Sequence, residues 1–327
     1  VDPRGLRAGA EAAVTATLVI ANYNGWRLLA DSVPAALEAA RRAGGHTVVI
    51  ADDGSTDGSV DFVGAHYPDA AVLALHHRGF GEACNAAVRR ADGEVVVLLN
   101  SDVVVAPDFL PPLLEDLGEP DVFAVGCRLT NPDGTLTGAL GNRTRGEWRG
   151  PLLAIHHETD PARLRETCPQ LYANGGAMAV RRDRWLALGG FDPLYRPFYW
   201  EDVDLGYRAW ARGWRVLYEP RSVVAHRQGG TIARLHGRRR AELMSAKNGV
   251  LFTWRNLLDP VLLRRTLAAQ ARWAADDVLI GGLPPRARAL RLALRQLREA
   301  ARGRARERRE RMVGDLEILR RAAGAGG

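Results

Sequence analysis

The chain has 327 residues, 46% of them apolar, enough for one large domain or two small ones. No uncharged apolar run is long enough to suggest a membrane-spanning helix, and the first residues lack the basic-then-apolar order of a secretion signal. The net charge of +7 is uneven: residues 286–327 hold 13 arginines against 5 acidic residues, so the remainder is close to neutral.

Cys84, Cys127 and Cys168 are widely spaced and form no Cys-x-x-Cys pair, which predicts reduced thiols in a cytoplasmic compartment. Lys247 is the only lysine. The arginine skew matches a GC-rich coding bias, so arginine count alone is a weak argument for nucleic acid.

Residues 1–13 lack periodicity and read as a leader. The run from Ala16 to Ala21 reads as a buried strand ending in Asn22-Tyr23-Asn24-Gly25. A helix is predicted from Leu28 to Arg42. A second strand, Thr47 to Ala51, runs into Asp52-Asp53-Gly54-Ser55. Helices are predicted from Ser59 to Tyr67 and from Gly81 to Ala91. A third strand, Glu94 to Leu99, ends in Asn100-Ser101-Asp102. This alternation predicts an α/β fold with a mainly parallel sheet and right-handed crossovers. Ligands of such sheets bind at the carboxyl ends of the strands, so Asn22, Asp52, Asp53, Asn100 and Asp102 are expected to share one rim. Residues 126–170 are irregular and are expected to form a mobile loop over the site. Short strand, helix and short strand return over residues 171–226. Helices follow from Ala241 to Asn256, after Pro260 and after Pro285.

Tyr199-Trp200-Glu201-Asp202-Val203-Asp204 places three carboxylates at a predicted helix start, directly behind two aromatics. Carboxylates favour the first turn of a helix, which is one reading. The other is an aromatic wall holding a ring-shaped substrate while a carboxylate removes its proton. Asp52 and Asp53 likewise either cap a turn or accept hydrogen bonds from a ligand.

The ordered set Asp52-Asp53-Gly54-Ser55, Gly79-Phe80-Gly81, Asn100-Ser101-Asp102, Gly175-Gly176, Gly189-Gly190-Phe191-Asp192, Glu201-Asp202-Val203-Asp204 and His226 resembles a family 2 glycosyltransferase of the bacterial rhamnosyltransferase-like kind. The match covers residues 14–256. It implies a GT-A-type α/β fold, with a nucleotide-binding half over about 14–125 and an acceptor half over about 126–256. It implies an inverting, metal-dependent transfer of a sugar from a nucleotide diphosphate, dTDP-rhamnose first or a UDP-sugar second, to a cell-surface glycan or lipid-linked saccharide.

By the same resemblance Asp202 is the catalytic base. Asn22, Asp52, Asp53, Arg78, Asn85 and Asp102 are donor-side residues. Gly175, Gly176, Trp200, Glu201 and Asp204 are acceptor-side, with Tyr199 beside them. Asp102 and His226 hold a divalent cation, Mg2+ or Mn2+, and Asn100 replaces the first acid of the metal motif. Asn85 also suits a backbone hydrogen bond inside the fold, and His226 a structural role.

The motifs end near residue 256, so residues 257–327 are expected to form a basic amphipathic extension that the core does not need for folding. Leu290, Ala293, Leu294, Leu297 and Ala301 share one side, with Arg288, Arg291, Arg295, Arg298 and Arg302 beside them. Such a helix suits an anionic membrane surface on the cytoplasmic side. Nucleic acid is not expected, because the arginine stripe lacks interleaved aromatics. Two alternatives carry over: an inactive scaffold of the same fold, kept open by Asn100, and a nucleotidyltransferase. The second is disfavoured because Asn22-Tyr23-Asn24-Gly25 supplies no glycine-rich basic loop.

Overall fold

The computed structural model describes residues 14–137, 142–227, 237–279 and 285–324. The expected leader, residues 1–13, lies outside the described residues. The apolar runs form the strands they predict: β1 (Ala16–Asn22), β2 (Thr47–Asp52) and β4 (Val95–Asn100). Their valines, leucines and isoleucines are buried on both faces, as in a sheet sandwiched by helices. Helices α1 (Trp26–Arg42), α2 (Ser59–His66) and α3 (Phe80–Arg90) make the crossovers. An edge strand that the sequence pattern did not reveal, β3 (Ala70–Ala74), pairs with β2. Asn22 pairs with Asp52 across the β1–β2 ladder, and Ala21 pairs with Asn100 across β1–β4. The polar ends of three strands therefore stand level, and the rim predicted from sequence exists.

Beyond β4 the sheet turns mixed. The chain adds β5 (Val103–Val105), α4 (Leu110–Leu117), β6 (Val122–Thr130), β10 (Ala177–Arg181), α5 (Arg182–Leu188), α6 (Glu201–Ala211) and β11 (Arg215–His226). The strand order is β3-β2-β1-β4-β10-β6-β11-β5. β10 runs antiparallel between β4 and β6, and β5 runs antiparallel to β11.

The loop expected over residues 126–170 is largely regular. β6 extends to Thr130, and β7 (Thr144–Arg149) and β8 (Leu152–His157) form a hairpin. A two-residue strand, β9 (Cys168–Pro169), pairs with β11. The hairpin reads as irregular because it is polar on one side. Its other side presents Trp148 to Tyr207 and Phe252.

The extension is not a free amphipathic arm. It comprises α8 (Pro260–Leu279), α9 (Pro285–Leu294), α10 (Leu297–Glu310) and α11 (Asp315–Ala322), which follow α7 (Arg238–Asn256). Ala289, Ala293, Ala300, Ile318 and Ala322 are buried. Alanines at the seam let α9 and α10 lie close along α7. Buried charge ties the same elements together: Glu307 of α10 pairs with Arg212 at 2.8 Å and with Arg255 of α7 at 3.4 Å. Asp315 accepts from Tyr207 Oη at 2.6 Å and from the Leu258 and Asp259 amides.

Removing residues 286–327 would therefore leave Arg212 and Tyr207 without these buried partners and uncover α7. Breaking a single buried pair costs about 3–5 kcal/mol. The truncated chain is expected to lose soluble, cooperatively folding protein, scored by expression and thermal melting. A soluble truncation that melts like the full chain would contradict the packing role of the extension.

Candidate functional site

The β1 and β2 ends are stitched side chain to side chain. Asn22 Nδ2 donates to Asp52 Oδ2 at 2.8 Å. Asp52 also accepts from the Ser55 amide at 2.8 Å and from Ser55 Oγ at 2.7 Å. Asp52 is buried, yet a carboxylate has about four lone-pair positions, so capacity remains on Oδ1. Asn22 Oδ1 is buried and has no hydrogen-bond partner among the described residues. Asp53 holds the loop opposite: it accepts from the Arg78 and Gly79 amides, both at 2.8 Å, and pairs with His77 Nδ1 at 2.8 Å. Asp53 thus shapes the donor-side loop through backbone. Above it, the exposed rings of Tyr23 and His77 stack with centroids 4.2 Å apart. Sequence reading missed this aromatic pair, although Tyr23 directly follows the strand end that marked Asn22. Arg78 lines a cleft with Glu82, Arg196, Pro197 and Glu201.

Asn85 does not face that rim. It is buried, donates to the Phe191 carbonyl at 2.8 Å and accepts from the Phe191 amide at 2.9 Å. A β-carbon on Gly190 would sit 2.1 Å from Asn85 Oδ1, so the Gly189-Gly190 turn exists to let this clamp close. Of its two sequence readings, the backbone hydrogen bond is the one observed, and the donor-side assignment of Asn85 is corrected.

Asp102 lies just past β4, and β5 pairing with β11 brings His226 to it: Nε2 stands 3.4 Å from Asp102 Oδ1. A carboxylate oxygen and an imidazole nitrogen this close suit one divalent cation. Among the described residues no third His, Cys, Asp or Glu joins them. Phosphate oxygens and water would complete the shell, the usual habit of Mg2+.

Asp202 is tied to the same region. The Gly175 amide donates to its Oδ2 at 3.2 Å, and the Val203 amide donates to Oδ1 at 2.8 Å. The Asn100 amide donates to the Gly176 carbonyl at 2.9 Å, and a β-carbon on Gly176 would lie 2.3 Å from Asn100 Nδ2. Only glycine permits that contact. Gly175-Gly176 therefore bridges the Asn100 end of β4 to Asp202. Burial raises the Asp202 carboxyl above the usual aspartate range, with the Gly175 and Val203 amides partly opposing it. Glu201 is raised by burial and then by the neighbouring Asp202 charge. Its Oε2 is buried without a hydrogen-bond partner among the described residues.

The backbone before these carboxylates is strained. Tyr199 and Trp200 adopt φ of 72° and 78°, a region costly for bulky residues. Asn248 of α7, fully buried, fixes this segment: its Nδ2 lies 2.6 Å from the Tyr195 carbonyl and 2.9 Å from those of Phe198 and Tyr199. Lys247 donates to the Arg196 carbonyl at 2.9 Å and to Gln296 at 3.0 Å. Lys247 stands out in sequence only as the single lysine, and the role of neither residue is visible there, because each acts through backbone carbonyls about 50 positions away.

Two acceptor-side expectations are corrected. Trp200 is only 8% exposed, packs on Phe252 with centroids 5.1 Å apart, and offers no free face to a sugar. Asp204 is fully buried. It accepts from Arg208 Nε at 2.6 Å, Tyr195 Oη at 2.8 Å and Asn256 Nδ2 at 2.8 Å. Burial opposes its charge, but Arg208 and then Arg255 outweigh that and hold its carboxyl below the usual range. Arg208 is buried with it.

The glycosyl transferase family 2 profile matches residues 17–187, just over half of the chain. The chain belongs to that family. It is 29% identical over 212 residues to an N-acetylglucosaminyl-diphospho-decaprenol L-rhamnosyltransferase of Mycobacterium tuberculosis, covering 58% of this chain and 68% of that protein. Among solved structures, GalNAc-T7 with UDP, GalNAc and Mn2+ superposes with a TM-score of 0.65 at 18% identity, over 96% of this chain and 57% of that one. The mannosyltransferase PcManGT from Pyrobaculum calidifontis, in complex with GDP-Man and Mn2+, gives 0.52 at 20% identity, over 96% and 87%. These structures share the GT-A-like α/β fold, and the chain is a nucleotide-sugar glycosyltransferase of family 2.

Because the folded pKa of Glu201 is raised, its contribution to stability is present at acid pH and falls as pH climbs from the unfolded toward the folded value. Glu201→Gln removes that titration. In urea unfolding at pH 5 and pH 8, the variant should gain stability relative to wild type as pH rises. A difference independent of pH would remove Glu201 from the buried, charge-coupled position.

Proposed function

We propose that this chain transfers a sugar from a nucleotide diphosphate to an acceptor hydroxyl with inversion, using Asp202 as general base. The observation that carries this reading is the Gly175-Gly176 bridge, which holds Asp202 against the β4 end that leads into Asp102 and His226. Base and charge-bearing centre thus belong to one constellation. Asp202 takes the acceptor proton as that oxygen attacks the anomeric carbon from the face opposite the diphosphate. Burial raises its pKa, which makes it a better proton acceptor than an ordinary aspartate.

On the donor side, Asp52 keeps a lone pair for a base imide N–H, and Asn22 Oδ1 awaits a donor group. The Tyr23–His77 pair gives a flat surface beside them, and Arg78 projects into the cleft toward phosphate. Asp102 and His226 would hold Mg2+ or Mn2+, which supplies positive charge to the departing diphosphate. Asn100 contributes no charge there. The donor is dTDP-L-rhamnose in our first reading and a UDP-sugar in the second. The named acceptor chemistry of the mycobacterial relative supports a lipid-linked saccharide. Gly175, Gly176 and Glu201 border the acceptor side, with half-buried Tyr199 at its edge.

Asp202→Asn is expected to cut transfer by about 10² to 10⁴ while nucleotide affinity stays near wild type. Asp102→Ala is expected to abolish the Mn2+-dependent part of nucleotide binding, and His226→Ala to weaken it, both read by calorimetry with dTDP and UDP. Transfer by Asp202→Asn within threefold of wild type would reject the base. Unchanged metal dependence in Asp102→Ala would reject the cation site.

A further inference from the structure

Two sets of arginines in the extension differ in what they touch. Arg304 donates to the Trp254 and Leu257 carbonyls, Arg306 to Ala187 O and Glu310, and Arg311 to Asn256 O and Asp315. These three face the domain. Arg288, Arg291, Arg295, Arg298 and Arg302 are exposed, and none has a carboxylate within ion-pairing distance among the described residues. Spaced three and four residues apart, they make a basic stripe along α9, the turn at Arg295 and the first part of α10. Glu299 is the one exposed acid in this stretch among the described residues.

Two large apolar side chains stand out of the same surface: Leu294 is 57% exposed and Leu297 47%. Sequence periodicity placed them on one side with Leu290, Ala293 and Ala301, the side expected to meet a membrane. The fold uses Ala289, Ala293 and Ala300 as the seam and leaves both leucines outside. Five unpaired guanidinium groups beside two projecting leucines match an anionic bilayer surface, where arginine meets lipid phosphate and leucine enters the acyl boundary. Nucleic acid fits less well: residues 285–327 contain no aromatic side chain for base stacking, and the leucines would stay wet.

The position matters as much as the chemistry. Gln296 sits between the two helices, donates to the Leu194 carbonyl at 3.2 Å, and accepts from Lys247, which also holds Arg196. Arg196 and Pro197 line the cleft. The stripe therefore adjoins the segment that leads into Glu201 and Asp202.

We infer that the outward face of α9 and α10 docks the folded enzyme onto an anionic lipid bilayer, without the extension detaching, and so brings the cleft to a membrane-held acceptor. Its purpose rests on the lipid-linked acceptor proposed above; its chemistry does not. The test uses the full chain and co-sedimentation with phosphatidylcholine vesicles, with and without an equal part of phosphatidylglycerol, at low and high salt. Wild type should bind only the anionic vesicles, and less at high salt. Arg291→Gln/Arg295→Gln/Arg298→Gln should lose affinity by roughly a hundredfold. Leu294→Ser/Leu297→Ser should keep salt-sensitive binding but lose what survives at high salt. All five sites are exposed and unpaired, so melting temperatures should match wild type. Equal binding by wild type and the arginine variant would overturn the proposal. So would absence of wild-type binding to anionic vesicles, or retention of single-stranded DNA in their place. Transfer to a water-soluble acceptor is the separate readout: its failure would strike the proposed function and leave the docking result standing.

Discussion

A buried charge cluster around Asp204 and Arg255 governs how the molecule is assembled. Asp204 on α6 is held by Arg208 of its own helix, by Tyr195 of the preceding segment and by Asn256 of α7. Arg255, beside Asn256, reaches Asp192, Asp204 and Glu307. One cluster therefore joins the helix that carries Asp202, the segment leading into it, α7 and α10. Buried pairs of this kind add little net stability over apolar packing, but losing one partner is expensive. Their effect is to fix relative position.

Position is what this active centre needs. Tyr199 and Trp200 are both left-handed, and surrounding structure must over-determine such a backbone for it to persist. Asn248 gathers three carbonyls of the segment, and Lys247 takes a fourth. The strained turn leads from buried Trp200 into Glu201 and Asp202, whose carboxyl groups burial raises. The Gly175 amide then catches Asp202 from the β10 side. Of the aromatic pair that sequence suggested as a sugar-stacking wall, Trp200 is a core element packed on Phe252.

The nucleotide half was largely legible. Strands buried on both faces carry strong apolar runs, and polar residues at their carboxyl ends mark the rim. Asn22, Asp52, Asp53, Asn100 and Asp102 could be placed together before any coordinates. Short β3, the β7–β8 hairpin and the mixed half were not legible, because their patterns depend on partners such as Trp148 with Phe252. Asp204 was misread for the same reason. Its helix-start position is visible, but Arg255 and Asn256 are not adjacent to it in sequence. The extension misled differently: its exposed Leu294 and Leu297 follow a clear helical period, while its packing on the domain rests on alanines, whose value lies in close approach and not in hydrophobicity.

The central claim is that Asp202 acts as a base and not as a nucleophile. The most direct measurement is the anomeric configuration of the first transfer product, read by NMR from the one-bond carbon–hydrogen coupling and compared with that of the donor. A base acting on the acceptor in a single displacement gives the opposite configuration in the product. Retained configuration would contradict that mechanism and the role assigned to Asp202.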